Sequence, residues 1–463
     1  MTSKQTRMRS GQLSLALVGV GLIAFIGTLM ETALNVTLPA MMTQFSVSLT
    51  TVQWLTTGYL LVSSWMMIIN ARLVQRYSLR FLLGVGTGGF LVSLVICSLA
   101  PSFPYLFGGR ILSGVCMGIC IPLLFTVITR YAPRSRLGFF MAVGVTITAL
   151  APALGPTYGG IVLRFFNWRW IFLLSLPLVL GGWLLALVAL PREQINAPNQ
   201  NFDIKGFVWL VLLLTTFQLL VTSGGRKNGL IFTLLLVLCG GMVSGCWRHI
   251  QRQPQPVLAA TLFTNQRFGI YFTAYFILQA VNVALGGFLI PNFLQLVWHQ
   301  SAFIAGSAML PGLLIRIGLM PLAGKWFDHL NHKGVGQHLI YGGTTVVGVS
   351  MLILGHLAHG SVQVGLLVGV YVLYNAGLAL AISNLMTTSI QAVATTETAD
   401  ANALLNTAQQ YSGGIGIALV ATLINRQGVP AGFYWSLVRL ALGIAAVIFL
   451  VISGRKLINT KNN

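Results

Sequence analysis

The chain has 463 residues, 56% of them hydrophobic and only 7% charged, and carries a formal net charge of +21. Soluble domains hold about 25% charged residues, so a water-soluble globular protein is excluded, and apolar stretches recurring from end to end mark a polytopic membrane protein. In a soluble chain such a charge would suggest nucleic acid; here the basic residues sit in short loops between apolar runs, where topology and anionic lipid headgroups account for them, and no nucleic-acid partner is expected.

The N-terminus, "MTSKQTRMRSGQ", is short and basic and runs into an apolar segment long enough to cross. No A-x-A-like site follows it, so it reads as a retained first span rather than a cleaved leader. Fourteen apolar helices are expected, at about 12–34, 51–70, 79–99, 105–127, 137–162, 169–190, 205–222, 229–248, 268–294, 303–325, 337–357, 362–386, 403–424 and 433–454. Each is near the roughly 20 residues needed to span.

The first span ends on "LMETALNVTLPAMM", which places one acid, Glu31, beside a long uncharged run. A charge at mid-membrane costs about 2.5–3.5 kcal/mol on insertion scales, so an acid kept there is a candidate functional group. The other reading is a span-end acid reaching to water near the outer headgroups. The remaining five acids, Glu193, Asp203, Asp328, Glu397 and Asp400, fall in or beside loops of the opposite face. If protons cross on a carboxylate within a span, Glu31 is the candidate.

Basic residues set the orientation. Arg7, Arg9, Arg72, Arg76, Arg80, Arg130, Arg134, Arg136, Arg192, Lys205, Arg248, Arg252, Arg267, Lys325, Lys333, Arg455 and Lys456 fall on one set of alternate loops. The other set holds Arg164, Arg169, Arg226, Lys227 and Arg426. Both termini are therefore expected in the cytoplasm of a multi-pass cell-membrane protein. The loop "QAVATTETADANA", with two acids and no base, departs from the pattern, but acids carry little topological weight.

Spans 7 and 8 are flanked by polar linkers, "PREQINAPNQNFDIKG" and "RHIQRQPQPVLAATLFTNQR". Setting that pair aside leaves six spans on each side: residues 1–190 as an N-terminal six-helix half, 191–267 as an inserted helix pair with linkers, and 268–463 as a C-terminal half. The basic turn "ARLVQRYSLR" after span 2 is matched by "AGKWFDHLNHK" in the later half. Transporters built from such repeats place substrate near mid-membrane between them.

Several longer stretches are more specific. Span 5 holds "ALAPALGPTYGG", followed by the span-6 entry "FNWRWIF"; span 1 holds "ETALNVTLP"; span 4 holds "GGRILSGVCMGICIP"; span 13 holds "NALLNTAQQYSGGIGIALVATL". With these the chain resembles the major facilitator superfamily, and within it the 14-span drug/proton antiporter family of bacterial multidrug exporters. The resemblance implies an all-α fold of two six-helix halves plus an inserted pair. It implies proton-coupled efflux of amphipathic small molecules by alternating access, with protons and membrane lipids as further partners and a single chain as the working unit.

It also assigns residues. Gly155, Pro156, Gly159 and Gly160 match the antiporter motif, where missing side chains admit close helix approach and proline removes a backbone bond. Glu31 stands at the first-span acid, usually Asp, implicated in proton coupling or cation recognition. Arg110 stands at the span-4 basic position, where coupling to that acid competes with simple snorkelling; a nearby cation and burial act on a carboxyl in opposite senses. In the cytoplasmic turn the family's aspartate is replaced by Gln75, so the gate rests on Arg76 and Arg80 and on Gly324 and Asp328 of the second copy.

Gln279, Asn282 and Asn375 are the stronger candidates for polar groups of a substrate cavity, with Gln53, Trp54 and Asn406 beside them. Arg316 and Arg439 are intramembrane cations without a local acid. The cysteines, Cys97, Cys116, Cys120, Cys239 and Cys246, read as small packing residues, and neither a disulfide framework nor a metal site is implied. There is no GxxxxGK[ST], HExxH or GxSxG, so no nucleotide, cofactor or enzymatic chemistry is expected. Two other functions fit the same fold: export of one dedicated lipid or metabolite, and a non-transporting membrane sensor.

Overall fold

The computed structural model describes residues 10–133, 136–191, 203–224, 229–253, 256–331, 335–357, 363–394 and 397–459. Arg7, Arg9, Arg134, Arg192, Glu193, Arg226, Lys227 and Lys333 lie outside the described residues. All regular structure among the described residues is helical. Apolar segments that cross a bilayer must satisfy their backbone polar groups internally, and the helix does this within one segment.

A first bundle is built from α1 (Ser10–Phe45), the short α2 (Leu49–Val52), α3 (Trp54–Arg76), α4 (Leu79–Leu99), α5 (Phe103–Tyr131), α6 (Leu137–Phe165) and α7 (Arg169–Ala189). Here α1 packs on α5, α6 and α7, and α5 lies between α3 and α4. The pair α8 (Ile204–Ser223) and α9 (Gly229–Arg252) follows. The second bundle holds α10 (Ala260–Thr264), α11 (Gln266–Asn282), a π-helical segment (Val283–Leu289), α12 (Ile290–Leu296), α13 (Ala302–Ser307), α14 (Leu310–Asn331), α15 (Gln337–Leu357), α16 (Val364–Gln391), α17 (Thr398–Gln427) and α18 (Val429–Asn459). It repeats the arrangement: α11 packs on α16, α17 and α18, and α16 lies between α14 and α15.

Short polar residues start several of these helices by accepting from otherwise orphaned amides. Ser48 caps α2, Ser78 caps α4, Asp203 caps α8, Asn265 caps α11 and Ser301 caps α13.

Thirteen described helices are long and apolar enough to cross a membrane. The fourteenth expected span, 403–424, lies in α17, which is not among them. It is a 30-residue helix, but Asn402, Asn406, Gln409 and Gln410 dilute its apolar character.

Three expected spans depart most clearly from the sequence expectation. The first span does not stop at 34 but continues to Phe45. Its polar stretch stays helical because the helix absorbs the polar groups: Thr32 Oγ1 donates to the Leu29 carbonyl at 3.2 Å and Thr37 Oγ1 to the Leu34 carbonyl at 2.8 Å. Asn35 Oδ1 accepts from Thr56 Oγ1 of α3 at 2.7 Å. The expected span 268–294 is interrupted by the π segment around Gly286 and Gly287. The expected span 303–325 breaks between α13 and α14, just before Pro311, which suits the first turn of a new helix.

The bundles meet along two seams, α3 against α17 and α6 against α13 and α14, while α1 touches α12 and α13. Hydrogen bonds across the interface join them towards the Phe45 end of α1: Gln295 Nε2 donates to the Val36 carbonyl at 2.9 Å, and Thr157 Oγ1 to the Gly306 carbonyl at 3.3 Å. The helix pair rests on the first seam through α8. Gln218 Nε2 donates to the Gly414 carbonyl at 3.4 Å and Tyr411 Oη to the Leu214 carbonyl at 2.7 Å. Within the pair, His249 Nε2 lies 2.8 Å from Asp203 Oδ1.

The glycines of α6 explain how closely these helices approach. A Cβ on Gly155 would collide with Thr32 Oγ1 and stand 2.7 Å from the Leu29 carbonyl oxygen; one on Gly159 would stand 2.5 Å from that of Ala33. Both therefore face α1. A Cβ on Gly160 would stand 2.6 Å from the Ala302 carbonyl oxygen of α13, so that glycine faces the other bundle. By contrast, a Cβ on Gly84 of α4 would meet nothing within 4 Å.

Gly159→Ala should therefore lower the thermal midpoint of the purified protein, with overpacking costing about 1–3 kcal/mol. Gly84→Ala should hold or raise it, since alanine is favoured over glycine within a helix by about 1 kcal/mol. The same direction of change at both sites would contradict the close α1–α6 contact.

Candidate functional site

Between the bundles lies a cavity of about 130 Å³. From the first bundle it is lined by Thr28, Glu31, Thr32 and Asn35 of α1, Thr56 and Leu60 of α3, and Thr148, Pro152 and Pro156 of α6. From the second come Gln279 and Asn282 of α11, Val283, Gly286 and Gly287 of the π segment, Leu313 and Arg316 of α14, Tyr371 of α16, and Gln409 and Gln410 of α17. Most of these side chains are polar, while Leu60, Val283, Leu313, the two prolines and the Tyr371 ring supply apolar surface, so the cavity offers both kinds of contact to an amphipathic molecule.

Glu31 is not at a helix end. Because α1 runs on to Phe45, the carboxyl sits within the helix, 8% exposed and on the cavity wall. Its Oε2 has no hydrogen-bond partner among the described residues. Gln410 of α17 and Arg110 of α5 are its polar neighbours.

Arg110 is buried, at 1% exposure, and does not line the cavity. Its Nε donates to the Leu55 carbonyl at 3.2 Å, and its guanidinium lies 4.2 Å from the centre of the Tyr59 ring. Arginine over an aromatic face is a favourable seat for a buried cation. No ion pair within 4.0 Å joins Arg110 and Glu31. The cation thus acts on the carboxyl through space while its own ligands are Tyr59 and a backbone carbonyl of α3.

The antiporter-motif residues divide between two roles. Gly155 and Gly159 hold α6 against α1 next to Glu31, and Pro156 lines the cavity. The Pro156 carbonyl also meets Gly306 of α13, and Gly160 meets Ala302. One helix face thus places the acid while its neighbour closes the seam between bundles.

Of the cavity candidates, Gln279 and Asn282 line it. They belong to a hydrogen-bonded chain: Arg316 donates to Asn282 Oδ1 at 2.9 Å, Asn282 Nδ2 to Gln279 Oε1 at 3.2 Å, Gln279 Nε2 to Tyr275 Oη at 3.0 Å, and Tyr275 Oη to Gln409 Oε1 at 3.3 Å. Asn375 is buried behind the wall, donating to the Tyr371 carbonyl at 2.9 Å. Gln53 and Trp54 stand where α2 meets α3, away from the cavity; Gln53 is fully buried and bonded to Thr57 and the Thr50 carbonyl. Asn406 is exposed on α17, one turn before Gln410, and does not line the cavity. Gln53, Trp54, Asn406 and Asn375 are thus not among the residues lining this cavity.

Residues missed as liners are Thr28, Thr32, Asn35, Thr56, Gln410 and the π-segment glycines. Their only sequence signal is polar or small residues in apolar runs, which packing positions share. The π segment has no period of its own to read.

At the turn after α3, Arg80 donates to the Leu190 carbonyl at the end of α7 at 3.3 Å, and Arg76 is exposed beside Tyr77. Gly324 has open space around it, and Asp328 is exposed on α14. No ion pair to Arg76, Arg80 or Asp328 is found among the described residues. Arg439 is exposed on α18. The five cysteines are buried and free, with Cys120 and Cys116 against Gly86 and Gly89 of α4.

Tyr59 supports Arg110 with its ring, while its buried hydroxyl has no partner among the described residues. Tyr59→Leu should destabilise the protein by about 1–2 kcal/mol. Tyr59→Phe keeps the ring and removes an orphaned polar group, so it should be neutral or stabilising. Thermal unfolding of the two variants checks this; a loss in Tyr59→Phe equal to that in Tyr59→Leu would show that the hydroxyl, not the ring, holds the arginine.

The family profile described as "Major Facilitator Superfamily" matches residues 20–417. A lincomycin resistance protein, LmrB, of Bacillus subtilis is 29% identical over 429 residues, 91% of this chain and 86% of that protein. A multidrug resistance protein B homolog of Mycobacterium tuberculosis is 27% identical over 441 residues, 91% of this chain and 80% of that one. Among solved structures, a POT family transporter in complex with 5-aminolevulinic acid superposes with a TM-score of 0.71 at 14% identity, covering 95% of this chain and 96% of that one. A bacterial homolog of the human lysosomal transporter Spinster, inward-facing and unoccupied, gives 0.66 at 13% identity, covering 97% and 98%.

Proposed function

The chain belongs to the major facilitator superfamily, and from that premise we propose that it is a proton-coupled exporter of amphipathic small molecules working by alternating access. Relatives named for lincomycin and multidrug resistance support drug efflux. The observation that carries proton coupling is Glu31: an acid within a span, on the wall of a cavity between two bundles, with one oxygen unpartnered. An intramembrane carboxyl facing such a cavity has a ready role in binding alternately a proton and a substrate cation.

The two six-helix halves are residues 1–190 and 268–463, with 191–267 as an inserted pair, and α17 is the fourteenth span. Both termini lie in the cytoplasm and the protein sits in the cell membrane. The cross-bundle hydrogen bonds lie towards the Phe45 end, while Arg76 and Asp328 are exposed at the opposite ends of their helices, so this conformation is read as open towards the cytoplasm. Substrate enters there. Rocking of the bundles exposes Glu31 to the outside, where a proton displaces the substrate's cationic group, and the return stroke delivers the proton inside. One chain suffices, because both cavity walls come from it, and lipid covers the apolar perimeter.

Glu31→Gln preserves shape and removes titration. In inverted vesicles under an imposed pH gradient it should abolish uphill transport of a lipophilic cation while leaving downhill exchange. Glu31→Asp should retain part of the activity with a shifted pH optimum. Uphill transport by Glu31→Gln at the wild-type rate would place coupling elsewhere.

The orientation has its own test. With the native cysteines replaced, cysteine at Tyr77 and cysteine at Arg226 should label from opposite faces of intact cells. Labelling from one face would mean that the spans between them are miscounted by one.

A further inference from the structure

The cavity holds a second charged group that proton exchange does not use. Arg316 of α14 lines it from the bundle opposite Glu31. A guanidinium has five N–H donors, and one of them is engaged with Asn282 Oδ1 at 2.9 Å. No described carboxylate stands within 4.0 Å of it; the ion pair found among the described residues is His249–Asp203, in the α8–α9 pair. Asn282 is itself fixed, since its Nδ2 donates to Gln279 Oε1 at 3.2 Å and Gln279 Nε2 donates to Tyr275 Oη at 3.0 Å. The chain points the amide oxygen of Asn282 at the arginine and leaves further donors for a guest.

Arg110 is built differently. It is buried behind the wall, seated on the Tyr59 ring and the Leu55 carbonyl. Its Nη2 is buried without a hydrogen-bond partner among the described residues, but it lies out of reach of the cavity, whereas Arg316 faces the cavity without an anion. A cation held in a low-dielectric site without a counter-charge is costly, and a planar carboxylate or similar anion is the natural bidentate partner of a guanidinium. Across the cavity Glu31 presents a buried oxygen with no partner among the described residues. The walls therefore offer one acid and one base, from different bundles.

We propose that the cavity selects zwitterionic amphiphiles, seating the substrate's cationic group against Glu31 and its anionic group against Arg316. The inference rests on the export reading above and narrows its substrate class. A monocation satisfies only one wall. A zwitterion engages both, and because the walls belong to different bundles, its binding energy also bears on their relative position, which is what a ligand must do to shift a conformational equilibrium.

The test uses the full-length protein in inverted vesicles and two matched styrylpyridinium dyes. One carries an N-methyl group and is a monocation; the other carries N-carboxymethyl and is a zwitterion of similar size. In wild type the zwitterion should be carried, and should inhibit transport of the monocation more strongly than unlabelled monocation does. Arg316→Gln should lower the ratio of zwitterion to monocation initial rates by tenfold or more. Arg316→Lys, which keeps the charge, should retain more of that ratio. A ratio in Arg316→Gln within threefold of wild type overturns the proposal. So does a wild type that carries the monocation but not the zwitterion, an outcome that leaves the export reading standing. Transport of neither dye, nor of any lipophilic cation, by wild type would defeat the export reading and this proposal with it. The inhibition measurement needs no variant, so the proposal stays testable if Arg316→Gln fails to fold; weaker inhibition by the zwitterion overturns it.

Discussion

The arrangement around the cavity depends on how closely one helix approaches two others. On one side α6 meets α1 at backbone distance through Gly155 and Gly159; on the adjacent side it meets α13 through Gly160 and the Pro156 carbonyl. Without a hydrophobic driving force between helices in lipid, such contacts depend on dispersion and on how near the backbones come, and a single Cβ at these positions is enough to separate them. The contact fixes Glu31 laterally, because Thr32 and Ala33 are the very residues against which α6 rests. It also ties the position of the acid to the seam between bundles, since the same helix carries both faces. Movement of α13 relative to α6 cannot occur without changing what lies one helix face away from the carboxyl.

The polar groups follow a second constraint. Each one placed in an apolar medium needs a partner, and most find it locally: threonines and serines along the spans donate to carbonyls one turn back, as Thr28 does to Ala24 at 2.9 Å and Ser350 to Val346 at 2.7 Å. Such back-bonding satisfies the hydroxyl within its own helix, at the cost of slight destabilisation and bending. The exceptions are informative because they bond across helices. Some of these lie away from the cavity, as Asn70 of α3 does with the Ile119 carbonyl of α5 at 3.0 Å and Ser93 of α4 with Ser113 of α5 at 2.7 Å; around the cavity, Asn35 joins α1 to α3 and the Arg316–Asn282–Gln279–Tyr275–Gln409 chain joins α14 to α17 through α11.

This difference also decides what could be read from sequence. The helical class and most span boundaries follow from apolar run length, because a bilayer imposes one length scale on every crossing segment. Glu31 stood out for the same reason: an acid in an apolar run is conspicuous. Its depth did not, because the polar residues after it resemble a span end, and only their hydrogen bonds show that the helix absorbs them. Gln53, Trp54 and Asn406 look like Gln279 and Asn282 in sequence. Which way a side chain faces depends on the helices around it, and a polar residue within an apolar run does not by itself report what it faces. The π segment was invisible for a related reason, since its extra residue per turn is set by tertiary contacts and glycine permits rather than announces it.

The two buried arginines show how like residues come to have different work. Arg110 is enclosed by an aromatic face and a backbone carbonyl and does not line the cavity, so its charge is a fixed part of the field around Glu31. Arg316 has a neutral amide on one side and open cavity on the other, so its remaining donors are free to exchange partners with whatever enters. In the proposed transport cycle, a carboxyl that binds and releases a proton in turn is served by both kinds of neighbour. A constant cation keeps the charged form from being stranded in an apolar medium when the cavity is empty, and a second, accessible cation lets the contents of the cavity alter the balance. Were both arginines sealed, nothing that entered would be felt electrostatically except through Glu31 itself; were both open, the carboxyl would have no constant reference from one conformation to the next.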